Sequence, residues 1–252
     1  MLNGKIALVT GGGRSLGRDI SLRLAEAGAD VVVTYRSDRA SADATVAELR
    51  GMGRRAAAVQ VDLDGTDAIG GFVAAFAAQL EGWGADGFDI LVNNAGISSH
   101  GALGQVDEAS FDQVYRTNFK SVFFLTQALA PRIRDGGRVF TVGSGLTRFT
   151  MEAYTVYAAL KAAVEHLVRS WAKTLGPRGI TVNAVSPGAL DTDFNRQAFD
   201  AAPQIRDVIA GNTALGRVGL AEDVGGVVAF LCSDDARWIT GQRLEVSGGM
   251  FL

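Results

Sequence analysis

Seven short apolar, β-branched runs recur along this chain, at residues 6–10, 31–35, 57–61, 90–93, 139–142, 181–185 and 244–246, with helical patterns between them. Near-continuous apolar strands fit a parallel sheet buried on both faces, and right-handed crossovers place the intervening helices on each side. The pattern therefore predicts an α/β architecture with a doubly wound, seven-stranded parallel sheet. In such a sheet ligands bind beyond the carboxyl ends of the strands, where strand order reverses, so the residues just after each run need inspection. With 252 residues, 48% of them hydrophobic, the chain suits one domain over residues 1–252 with a large core. The longest irregular stretch follows Pro187-Gly188 and runs to about Asn212, and a mobile substrate lid is expected over about 188–212.

Charge and composition disfavour several function classes. A net charge of −3 offers no basic excess for a nucleic-acid backbone or an anionic membrane. The lone Cys232 lies in an apolar run, as a packed thiol would, and the two histidines, His100 and His166, stand far apart, so no metal site is expected. No basic-then-apolar leader precedes the first strand, and no apolar stretch reaches the roughly 18 residues of a membrane span. A cytoplasmic location is expected.

After the first run comes Thr10-Gly11-Gly12-Gly13-Arg14-Ser15-Leu16-Gly17, and a helical pattern follows over 18–28. Glycines let the backbone approach a diphosphate, while free amides and the dipole at the helix start attract it. An acidic residue ending the second strand would bind a ribose 2′-hydroxyl and favour NAD. Tyr35-Arg36-Ser37 stands there instead, and Arg14 lies in the glycine turn; a rigid, permanently charged guanidinium suits a 2′-phosphate. NADP(H) is the expected cofactor.

Tyr157 and Lys161 are four residues apart in a helical pattern running to about Leu175, so phenol and ammonium share one face. A free phenol has a pKa of about 10, and a nearby cation that stabilises phenolate makes it a usable acid or base nearer neutrality. Carbonyl reduction needs such a donor, because charge grows on oxygen as hydride reaches carbon. Ser144, just past the fifth run, can donate to the same oxygen.

These elements together resemble the short-chain dehydrogenase/reductase family, whose glycine turn reads Thr-Gly-x-x-x-Gly-x-Gly and whose fold is of Rossmann type. Ser15 departs from that turn: at a position needing positive φ a serine is strained, although its hydroxyl can cap a helix or reach a phosphate. The family pairs a serine with a tyrosine at the separation of Ser144 and Tyr157, and its helical asparagine matches Asn118, which would hold water beside Lys161. The resemblance implies catalytic roles for Asn118, Ser144, Tyr157 and Lys161. It implies cofactor contacts from Gly11, Arg14, Ser15, Leu16 and Gly17, from Tyr35, Arg36 and Ser37, and from Asp62 and Leu63 at the adenine. Asn94, Ala95, Gly96, Pro187, Gly188, Leu190 and Thr192 complete the set, with Tyr157 and Lys161 reaching the nicotinamide ribose. Asn93 and Asn183 are expected to be structural, with Asn93 bracing neighbouring strands, and Leu160 replaces a serine outside the acid itself. Tyr154 lacks a lysine four residues on and is expected to line the pocket.

The leading expectation is reversible NADPH-dependent reduction of a ketone or aldehyde. The apolar set Leu146, Phe149, Met151, Tyr154, Phe194 and Phe199 points to a hydrophobic or aromatic substrate. The rivals are a reductase of 3-oxoacyl groups on acyl carrier protein, for which Arg134 and Arg178 stand near matching basic positions, and a non-catalytic NADP(H)-binding protein. The resemblance also implies a homotetramer, built through helices near 108–134 and 154–175 and the segment Gly249-Met250-Phe251-Leu252.

Overall fold

The computed structural model describes residues 1–252, the side chain of Gln197 excepted. In chain order the elements are β1 (Ile6–Val9), α1 (Ser15–Glu26), β2 (Asp30–Tyr35), α2 (Arg39–Gly51), β3 (Ala56–Gln60), α3 (Ile69–Gly82), β4 (Phe88–Asn93), α4 (Glu108–Tyr115), α5 (Ser121–Leu129) and β5 (Ile133–Val142). They continue with α6 (Thr155–Leu175), β6 (Thr181–Pro187), α7 (Asp193–Ala201), α8 (Ile205–Gly211), α9 (Glu222–Cys232) and β7 (Arg243–Val246). All seven expected runs are strands, paired in parallel in the order β3-β2-β1-β4-β5-β6-β7. The order reverses between β1 and β4, which opens a crevice at their carboxyl ends.

The sheet is buried on both faces because each strand alternates between two cores. In β1, Ala7 and Val9 face the layer of α1, α2 and α9 with Ile20, Leu49 and Val228, whereas Ile6 and Leu8 face the layer of α3, α5 and α6 with Phe76, Leu125 and Val168. Cys232 is packed in the first layer, where burial pushes its thiol pKa up. Asn93 does not brace a neighbouring strand: its Nδ2 donates to Thr126 Oγ1 of α5 at 3.0 Å, tying β4 to the helix beneath. Asn183 holds residues 239–242, donating to Ile239 O and accepting from Gln242 N.

The stretch expected to be irregular, 188–212, instead carries α7 and α8. Their apolar residues Phe199 and Ile209 close on Met250 in a third, small core, joined by Phe149, Ala189, Ile205 and Val218. The helices are nine and seven residues long, too short to be stable without that packing, and their partners come from distant parts of the chain. No helix of the described residues is long and apolar enough to cross a membrane.

Candidate active site

The glycine turn, the segment after β4, the residues after β5, the start of α6 and the α7–α8 pair all line one cavity of about 680 Å³. Its floor is the β1/β4 crevice. Asn94 locks the two segments there, donating from Nδ2 to Thr10 O at 2.9 Å and to Gly11 O at 3.3 Å, while the amides of Asn94 and Ala95 both donate to Thr10 Oγ1. Gly11, at φ +62°, turns the chain, and Gly17 lies so close to Gly11 O that a Cβ would stand 2.2 Å from it. The first amides of α1 therefore face the cavity beside bare backbone, and such amides have no partners within the helix. This cradle fits a dinucleotide diphosphate.

Every residue expected to contact the cofactor or carry the chemistry lines this cavity except Asn118, which is buried immediately behind it. Ser15 has the positive φ its position demands, +49°, and its hydroxyl does not cap α1: it donates to Asp193 Oδ2 at 3.0 Å, joining the glycine turn to the first residue of α7. Arg14, Tyr35, Arg36 and Ser37 line the far end. Asp38 stands three residues past β2 but is occupied as the cap of α2, accepting from Ser41 N and Oγ, and these bonds hold its carboxyl below the usual range. Asp62 makes a local turn with Asp64 N and is too far from the start of α3, at Ile69, to cap it. Leu190 pairs with Gly219, and Thr192 immediately precedes α7.

At the centre stand Ser144, Tyr157 and Lys161, all buried. Ser144 caps a 3-10 turn over Gly145–Thr147, its Oγ accepting from Leu146 N at 3.2 Å. Burial pushes the pKa of the Tyr157 phenol well above the ordinary value, opposed by the nearby Ser144 hydroxyl, with Tyr154 and Glu165 adding to the rise. Lys161 is brought down from 10.5 to about 8 by burial, against the pull of the Glu165 carboxylate. Its Nζ donates to Val142 O at 2.7 Å and lies 5.8 Å from the Tyr157 ring centre, so in this geometry Ser144, rather than the ammonium, opposes the effect of burial on the phenol. Asn118 sits in a π-helical turn, Arg116–Lys120, between α4 and α5, an irregularity frequent at functional sites. Its amide is clamped on residue 97, accepting from Ile97 N at 2.9 Å and donating to Ile97 O at 2.7 Å.

The substrate end is apolar and aromatic, with the expected Leu146, Phe149, Met151, Tyr154, Phe194 and Phe199 all on its wall. The Phe194 ring centre is 5.9 Å from that of Tyr157. Sequence reasoning missed His100, whose Nε2 lies 3.0 Å from Tyr154 Oη, and missed Met250 and Phe251, assigned to subunit contacts but here closing the cavity. Phe251 packs on Phe149 at 4.9 Å. No local pattern marks these residues, because their partners lie far away in sequence. Arg134 and Arg178 lie at the opposite, amino-terminal edge of the sheet and are engaged, Arg134 by Asp86 and Asp89 and Arg178 by Asp135 and two carbonyls.

Residues 11–251 match the family model described as enoyl-(acyl carrier protein) reductase. Versicolorin reductase 1 of Aspergillus parasiticus is 37% identical over 261 residues, covering 99% of this chain and 97% of that protein. Among solved structures, the promiscuous reductase LugOII, which catalyses keto-reduction at C1 during lugdunomycin biosynthesis, superposes with a TM-score of 0.94 at 40% identity, over 100% of this chain and 99% of the other. The landomycin C-6 ketoreductase LanV, solved with bound NADP and rabelomycin, gives a TM-score of 0.91 at 36% identity, over 99% of this chain and 97% of its own.

Proposed function

Because the chain belongs to the short-chain dehydrogenase/reductase family, we propose that it reduces an apolar, aromatic ketone to the alcohol with NADPH, Tyr157 giving the proton. The observation that carries this reading is the convergence of Ser144, Tyr157 and Lys161 on the cavity that also holds the glycine turn. Bound NADPH would supply the hydride. As charge grows on the substrate oxygen, the protonated phenol of Tyr157 donates to it and the Ser144 hydroxyl stabilises it. Lys161 would hold the nicotinamide ribose and return a proton to Tyr157. Gly96 supports a water on that route: a Cβ there would lie 3.1 Å from Asn118 Oδ1 and 3.6 Å from Lys161 Nζ, so its absence leaves room between them. Arg14 and Arg36 would take the 2′-phosphate, Asp38 being occupied as a helix cap.

Relatives acting as ketoreductases support a ketone over other acceptors, and the aromatic wall supports a flat, apolar one. Arg134 and Arg178, paired and remote from the cavity, give an acidic carrier protein little to hold. The test is NADPH oxidation over 1-tetralone, 9,10-phenanthrenequinone, simple aldehydes and a 3-oxoacyl thioester. Fastest turnover of an aromatic ketone supports the reading; exclusive turnover of the thioester refutes the substrate class. Tyr157→Phe should lower kcat by roughly 10²–10⁴-fold while NADPH still binds.

A further inference from the structure

We propose that Glu165 and Arg243 form a positioning clamp on the catalytic serine, gripping the Ser144 residue at its N–H and its C=O and tying it to the C-terminal segment over the substrate cavity. The proposal rests on the reading of Ser144 and Tyr157 given above. Glu165 lies one helical turn after Lys161 on α6, buried beneath the end of β5. Its Oε1 accepts from Ser144 N at 3.1 Å and from Ser186 Oγ at 2.6 Å. Its Oε2 faces Arg243 Nε of β7 at 3.1 Å. Arg243 in turn donates from Nη2 to Ser144 O at 3.2 Å and from Nε to Thr147 Oγ1 at 3.1 Å. The Ser144 residue is thus held at both ends by one ion pair, and the preceding Gly143 leaves it no slack: a Cβ there would stand 2.2 Å from Glu165 Oε1.

The clamp continues outward. Arg243 Nη1 donates to Glu245 Oε2 at 3.0 Å, and Glu245 also accepts from Ser247 Oγ at 2.6 Å and from Arg148 at 2.6 and 2.8 Å. Arg148 closes the chain by donating to the carbonyls of Met250 and Phe251, the two C-terminal residues on the cavity wall. A substrate pressing on that wall therefore acts on the same network that aims the Ser144 hydroxyl. The charged and titratable groups around Glu165 are Arg243 from β7, Lys161 and Tyr157 from its own helix and, beyond Arg243, Glu245 and Arg148. Burying a carboxylate is costly, and an apolar pair of similar size would serve packing equally well. What an apolar pair lacks is a grip on a peptide.

Hydrogen exchange on the full chain tests the clamp without substrate or cofactor. Arg243→Gln should speed exchange in segments 143–147 and 247–252 at least ten-fold, with β4 unchanged, and Arg148→Ala should do so in 247–252 alone. Unchanged exchange, or an equal rise across the whole chain, overturns the proposal. A double-mutant cycle with NADPH and 1-tetralone then tests the coupling. Glu165→Gln should lower kcat at least ten-fold at unchanged NADPH KM, and less than two-fold further once Ser144 is alanine. Independent, multiplicative losses overturn the clamp. If Ser144→Ala itself leaves kcat intact, the catalytic reading fails instead, and hydrogen exchange still decides whether the clamp exists.

Discussion

Replacing Gly17 by alanine probes the joint between fold and cofactor cradle. The new Cβ would stand 2.2 Å from Gly11 O and 2.5 Å from Asn94 Nδ2, where a carbon needs roughly 3.5 Å, so the turn and the start of α1 must part by about 1 Å. Overpacking costs about 1–3 kcal/mol, and a clash with backbone oxygen belongs at the upper end. The helix-propensity gain of about 1 kcal/mol offsets part of this, leaving a net loss of about 2 kcal/mol. For a chain of this size that is a fall in melting temperature of roughly 4–8 °C. The same shift draws the first amides of α1 away from the diphosphate, and losing one charge-assisted hydrogen bond, about 1.5–3 kcal/mol, weakens NADPH binding at least ten-fold. Thermal melts without cofactor and a fluorescence titration with NADPH measure the two effects separately. Gly226→Ala is the control: Gly226 lies inside α9 with no atom within 4 Å of its would-be Cβ, so the variant should melt about 2–4 °C higher. A Gly17→Ala protein that melts at or above the wild type and binds NADPH within two-fold would mean that the close approach of Gly17 to Gly11 O does not shape the cradle.

Other consequences can be measured directly. The carboxyl of Glu245, held from its ordinary 4.5 down to about 2 chiefly by Arg148, stabilises the fold fully above pH 4.5, and that contribution is lost as pH falls towards 2; Glu245→Gln should flatten this part of the melting curve against pH. Lys161, lowered from 10.5 to about 8 by burial, gives a slope of the same sign in a different window: the unfolded chain binds more protons between these values, so the penalty of burying the ammonium is relieved and stability from this group rises from pH 8 to 10.5. Ketone reduction, needing the ammonium, should fall over the same onset near pH 8, and Lys161→Met should abolish both trends. Arg14→Ala with Arg36→Ala should raise the KM for NADPH at least ten-fold and leave that for NADH within two-fold, as paired steady-state measurements will tell. Light scattering should find a homotetramer, covering the exposed Phe111 and Phe124 of α4 and α5.

Much of this molecule is local and was therefore readable along the chain. Strand runs such as Val31, Val32 and Val33, the glycines from Gly11 to Gly17 and the four-residue step from Tyr157 to Lys161 are patterns of period or spacing. Ser15 was legible as an anomaly, and its φ of +49° agrees, but nothing local announced that its partner would be Asp193. The helices α7 and α8 read as loop because their stability comes from Met250 and Phe149 rather than from their own residues. Backbone conformation and short-range spacing depend on near neighbours, so the strands, the glycine turn and the chemistry-bearing side chains can be read from the order of residues alone. What those side chains face follows from long-range packing instead: Lys161 turns to Val142 O, Asn118 is clamped on Ile97, and Glu165 joins Arg243 across 78 positions. Such partners depend on how the layers pack, and no short-range pattern records that.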